Sequence, residues 1–185
     1  MQIIHNSLLQ VSVDENNASL NNISSDGDQG DFLIQDSVQE KTELTFPKAA
    51  AEDNLAASPW TVVDKGDSQV SLVLIDDEKS YKKFPYHFQI MATYILEGTQ
   101  IKIEFAICNN SKKEMPANLS YIIHLNLPEL SVAPHKIVLD NNGKNLTFES
   151  SNFELTKENE KILCRIPELM VAAESKQVLG LTITL

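Results

Sequence analysis

At 185 residues the chain is long enough for one ordinary domain to bury a core without disulfides or metals, and 42% hydrophobic against 22% charged residues is a globular composition. The formal net charge is -11, Arg165 is the single arginine, and the closest lysine pairs, Lys82-Lys83 and Lys112-Lys113, flank expected turns. That leaves no basic patch for a phosphate backbone, so nucleic acid is not an expected partner.

No apolar run approaches the roughly 20 residues of a membrane span, and Met1-Gln-Ile-Ile-His-Asn carries neither a basic n-region nor an apolar h-region. A cytoplasmic protein without a membrane partner is expected. In that compartment Cys108 and Cys164 read as small buried hydrophobes rather than a disulfide. The sequons at Asn17, Asn22, Asn109, Asn118 and Asn145 are not read as glycosylated.

Period-2 alternation recurs from end to end and helical periodicity is scarce, which predicts an all-β chain in one domain, an antiparallel β-sandwich. Strands are expected at 7–13 and 19–23, followed by the turn-rich Ser24-Ser-Asp-Gly-Asp-Gln-Gly and a short apolar Phe32-Leu-Ile. Residues 36–59, with Pro47 and Ala49-Ala-Ala, read as an irregular segment with one short strand or helical turn, placed as a rim over a binding face.

Strands follow at 60–64 and 69–75. The clearest hairpin joins 85–96 to 100–108 through Glu97-Gly98, with Ile101, Ile103, Phe105 and Ile107 on one face and Lys102 and Glu104 on the other. The stripe Phe84, Tyr86, Phe88, Ile90 and the lone Trp60 are assigned to the core.

The strand at 117–127 separates its faces. Leu119, Tyr121, Ile123, Leu125 and Leu127 lie on one side, and Asn118, Ser120, Ile122, His124 and Asn126 on the other. The second, mostly polar set is a candidate ligand surface. Further strands are expected at 136–139, 146–149, 162–166 and 178–185, with Asn141-Asn-Gly as a turn. His5, His87, His124 and His135 show no metal-ligand spacing, and no glycine-rich phosphate loop or nucleophile elbow is present. No metal or cofactor is expected.

Several segments, in order, resemble the galactose mutarotase (aldose 1-epimerase) family. Leu9-Gln-Val-Ser-Val-Asp-Glu-Asn-Asn-Ala-Ser-Leu-Asn-Asn-Ile is similar to its first hairpin, with Asn17 where a glycine is usual. Phe84-Pro-Tyr-His-Phe-Gln-Ile, Tyr94-Ile-Leu-Glu-Gly, Ile101-Lys-Ile-Glu-Phe and Asn109 follow its aromatic-Pro-aromatic strand, hairpin and terminal Asn. Met115-Pro-Ala-Asn-Leu-Ser-Tyr-Ile-Ile-His-Leu-Asn-Leu is similar to the family's Pro-Val-Asn-Leu-Thr-Asn-His-Ser-Tyr-Phe-Asn-Leu. The resemblance implies a supersandwich fold, shortened here, with a sugar site on one sheet face.

In the family a histidine acid and a glutamate base exchange sugar anomers, helped by a second histidine and an arginine. The match puts Ile122 at the acid position, places Asp53-Asn-Leu-Ala-Ala against the segment that carries the second histidine and the arginine, and, through Cys164-Arg-Ile-Pro, sets Ile166 at the base position. The implied function is therefore a hexose-like-sugar-binding relative whose epimerase chemistry is lost or weak, with Asn118, Ser120, His124 and Asn126 as ligands. A rival keeps the chemistry with His124 as a displaced acid and Glu168, or Glu104, as base; Glu174 reads as a turn residue. His124 standing idle on a wet sheet face and an interaction sandwich that binds no sugar are the remaining readings, and a homodimer covering a sheet edge is a further expectation.

Overall fold

The computed structural model describes residues 1–25, 42–47, 54–125 and 127–185. Its architecture follows from the alternation: strands such as β2, β7, β12, β13 and β15 bury one face and leave the other wetter, so sheets stack with the apolar faces inward. The strands in chain order are β1 (Gln2–His5), β2 (Leu9–Val13), β3 (Leu20–Ser25), β4 (Thr42–Thr45), β5 (Thr61–Lys65), β6 (Gln69–Ile75), β7 (Phe88–Glu97) and β8 (Gln100–Asn109). They continue as β9 (Met115–Pro116), β10 (Ser120–His124), β11 (Glu129–Ala133), β12 (Lys136–Asn141), β13 (Lys144–Glu149), β14 (Glu154–Glu158), β15 (Lys161–Arg165), β16 (Met170–Val171) and β17 (Ser175–Thr184).

All pairings are antiparallel. An eight-stranded sheet runs β11-β12-β13-β17-β8-β7-β6-β5, and a four-stranded sheet runs β14-β15-β10-β4. A three-stranded sheet β1-β2-β3 and the short pair β16-β9 complete the arrangement. The expected all-β antiparallel sandwich is what forms.

The β7–β8 hairpin is the longest local pairing, from Phe88 opposite Asn109 to Glu97 opposite Gln100, with Gly98 at φ +60° in its turn. Ile101, Ile103, Phe105 and Ile107 are all fully buried, as the alternation requires. Between β12 and β13, Asn142 and Gly143 both take positive φ, the two-residue turn that Asn-Gly favours because its twist matches that of the strands.

Strands β1, β9, β11, β14 and β16 and the helix α1 (Glu78–Lys83) add to the expected elements. No apolar stripe announces α1, since none of its residues is buried; its start is set by a reciprocal cap between Asp77 and Ser80. Of the expected rim, β4 and a 3₁₀ turn at Leu55–Ala57 are described; Phe32-Leu-Ile lies outside the described residues.

One cluster of buried side chains draws on the three-stranded, four-stranded and eight-stranded sheets and reaches β9 and β16. The two larger sheets meet where Phe105 of β8 packs at 5.3 Å on Tyr121 of β10 and at 6.3 Å on Phe153. Phe84, Phe88 and Ile90 are buried, Tyr86 is half-buried against the core, and Trp60 is buried with its indole N–H donating to the Ala56 carbonyl. The aromatic stripe is core, as expected.

A chain of hydroxyls crosses this core. The Tyr94 hydroxyl donates to the Ala18 carbonyl and lies 3.5 Å from that of Tyr121, which donates to Thr42 Oγ1 at 3.1 Å. The Thr42 hydroxyl accepts the Leu20 N–H and donates to the Leu20 carbonyl, so it acts as a backbone group joining β3 to β4. Desolvation pushes both phenols up, Tyr121 to about 12, and they remain neutral donors over the whole accessible pH range.

Both cysteines are free thiols: Cys164 is buried and Cys108 half-buried. Burial pushes the Cys164 thiol up to about 12, and the thiolate is the reactive form. An alkylating reagent near pH 8 is therefore expected to label one thiol, Cys108, in native protein and a second only in denaturant. Mass spectrometry after timed quenching reads this, and native labelling of Cys164 would contradict the packing. Among the described residues, no helix is long and apolar enough to cross a membrane.

Candidate functional site

The outward face of the four-stranded sheet is built by register. Ser120 of β10 lies opposite Thr45 on β4 and Arg165 on β15; Ile122 lies opposite Glu43 and Leu163; His124 lies opposite Lys161. Beyond β15, Arg165, Leu163 and Lys161 face Glu154, Thr156 and Glu158 of β14. Side chains at alternate positions share a face, so one surface gathers Thr45, Glu43, Ser120, His124, Arg165, Glu154, Thr156 and Glu158.

At one end of this face is a groove of about 570 Å³, lined by Asn118, Leu119, Ser120, Glu154, Thr156, Glu158, Arg165, Ile166, Pro167 and Glu168. Its volume lies within the range of small-molecule clefts. Hydroxyl, amide, carboxylate and guanidinium groups share the lining with Leu119, Ile166 and Pro167, and among the described residues no aromatic ring lines it. Sugar hydroxyls need such mixed donors and acceptors.

Local chemistry holds the groove's wall. Asn118 Oδ1 accepts the Leu169 N–H at 3.0 Å, while the Ala117 N–H donates to the Leu169 carbonyl at 2.7 Å. These bonds pin the loop after β15 to the start of β10 and keep Glu168, at φ +57°, on the rim. Arg165 Nη2 reaches Glu158 Oε1 at 3.2 Å, and Ser120 Oγ shares a 2.9 Å hydrogen bond with Thr45 Oγ1.

Asn118, Ser120 and Glu168 therefore meet in one groove, while Asn126 lies outside the described residues. His124 is on the same face but does not line the groove. It is 4% exposed, not wet, and its Nε2–H donates to Glu43 Oε1 at 2.7 Å. The structure pairs His124 with Glu43, not with Glu168. Glu104 points outward from β8, between inward Ile103 and Phe105, on the far side of the sandwich from His124, and so cannot act as its base. Glu174, at φ +52°, is the expected turn residue.

Sequence reading missed Glu43 and the β14 residues. Glu154-x-Thr156-x-Glu158 around the buried Leu155 carried a period-2 signal, but too short and too charged to mark a strand. Nothing local links Glu43 to a histidine 81 residues away.

A profile of the aldose 1-epimerase family matches residues 50–162. No curated protein matches the sequence significantly. The fold is similar to that of a galactose mutarotase-like protein from Lactobacillus casei ATCC 334, with a TM-score of 0.83 at 15% identity over 100% of this chain and 99% of that one. A galactose mutarotase related enzyme from Lactobacillus acidophilus gives 0.80 at 11% identity, covering 99% and 96%. A putative aldose 1-epimerase from Escherichia coli K12 gives 0.75 at 8% identity, covering 98% and 97%. With more than half of its length matched by the family profile, on a sandwich of the same architecture, this chain belongs to the aldose 1-epimerase family.

Proposed function

We propose that the protein is a cytoplasmic, single-domain carbohydrate-binding member of this family whose epimerase chemistry is lost or nearly lost, and that the groove beside Ser120 is its sugar site. Anomer exchange needs a base for the anomeric hydroxyl proton and an acid for the ring oxygen, held apart by the sugar. The observation that carries the reading is the His124–Glu43 contact: the one imidazole on this face is buried and bonded to a carboxylate, while Ile122 occupies the position where the family resemblance expects the acid. An isoleucine cannot donate a proton, and a mutually bonded acid and base cannot flank a substrate. Hydroxyl binding asks less, and Asn118 Nδ2, Ser120, Thr156 and the rim carboxylates suit it.

A second reading, a feeble epimerase, requires that contact to open so that His124 and Glu43 separate around the sugar. Exchange between the anomers of glucose and galactose, followed by NMR with and without protein, decides between them. The expected acceleration over buffer is below about tenfold, far under the 10²–10⁴ that positioned acid–base groups typically contribute. A larger acceleration that disappears in His124→Ala establishes the second reading. If high sugar concentrations shift no groove resonance, sugar binding itself fails.

A further inference from the structure

We infer that the groove selects its sugar by charge, admitting neutral sugars, favouring a protonated amino sugar and turning away phosphorylated and uronic acid sugars. This rests on the groove being the sugar site and adds the chemical class of its ligand. The groove's cation is the Arg165 guanidinium, which elsewhere would be the natural partner of a phosphate or carboxylate. Here it is already turned to Glu158 at 3.2 Å, so that pair presents no net charge.

Glu154, opposite Arg165 in register, and Glu168 also line the groove, and neither forms an ion pair among the described residues. The nearest further cation on this face, Lys161, stands opposite Glu158, four residues along β15 from Arg165, and does not line the groove. With three carboxylates and one guanidinium in its lining, the groove would oppose a bound anion, whereas an ammonium would reduce its excess of negative charge. Asn118, Ser120 and Thr156 offer the same neutral donors and acceptors to every ligand, and the carboxylates are what distinguishes the three ligand classes by charge.

The test titrates full-length protein with glucose, glucosamine and glucose 6-phosphate by NMR near pH 6. Glucosamine is expected to bind about fivefold tighter than glucose at low salt, and the phosphate ester at least about fivefold weaker. Salt at about 1 M, with a Debye length near 3 Å, should bring the ratios close to one.

The net charge of -11 could draw any cation to the surface. The double variant Glu154→Gln/Glu168→Gln, checked for folding by its melting transition, controls for this. Loss of the glucosamine preference in the variant supports the inference. Equal binding of glucose and glucosamine by the wild type, tighter binding of the phosphate ester, or a preference that survives in the variant overturns the inference and leaves the sugar site standing. Absence of binding by all three ligands removes the sugar site and the inference together.

Discussion

Asn109→Asp is expected to lower stability by about 3–5 kcal/mol at neutral pH, although it exchanges one NH₂ for an oxygen of nearly the same size. Asn109 closes β8 and is 1% exposed. Its Nδ2 donates toward three carbonyls, of Lys113 at 2.8 Å, Val171 at 2.9 Å and Ala172 at 3.0 Å, while Oδ1 accepts the Ser111 N–H at 2.9 Å. The side chain thus knots the end of the central hairpin to the following turn and to the segment leading into β17. An aspartate would set a carboxylate oxygen against three carbonyl oxygens in a site closed to water.

Asn109→Ala removes the donors without the repulsion and should cost about 1–3 kcal/mol. Urea unfolding at constant m-value ranks the two. The aspartate's folded pKa would lie above its unfolded value of about 3.9, so the protonated form is the better tolerated. Its excess cost over alanine is then fully present above the raised folded pKa and shrinks as pH falls below it. An Asn109→Asp protein as stable as Asn109→Ala at pH 7 would mean that the carbonyls do not converge as described.

Asn109 also shows how far sequence reading reaches. The hairpin it ends was legible because Ile101, Ile103, Phe105 and Ile107 repeat at period 2 beside a local turn, and the polar face of β10 was legible from Ser120 and His124 for the same reason. Long-range register was not. Thr42 reads as one polar residue in a weak segment, yet it serves as a strand partner to Leu20 and a ligand to Tyr121. Glu43 becomes relevant only when β4 docks beside β10, a pairing about 80 residues apart that loop length and local pattern leave undetermined. His124 was accordingly placed on the correct face with the wrong surroundings. The groove needed β14, whose Glu154–Glu158 segment buries one leucine and otherwise reads as solvated loop.

Phe105→Ala is expected to be the most damaging single truncation, by about 3–5 kcal/mol. The ring is fully buried where the two large sheets meet, edge-on to Phe153 and tilted against Tyr121. Cavity cost depends on whether neighbours can collapse, and here they are tied. The phenol of Tyr121 is held by Thr42 and lies beside that of Tyr94, so its ring cannot swing into the void without breaking a buried hydrogen bond. Phe105→Leu, which keeps most of the volume, should cost roughly 1–2 kcal/mol.

The position of the loss matters for the site. Tyr121 sits between Ser120 and Ile122 on β10, so slack beneath its ring is transmitted to the strand that carries one wall of the groove. In native-state hydrogen exchange, the β10 and β15 amides of Phe105→Ala should lose more protection than those of the β12–β13 hairpin, which pairs locally and is separated from β8 by β17. Uniform loss across all strands would instead show that the sandwich opens only as a whole. The face that carries the groove would then be no softer than the rest of the fold.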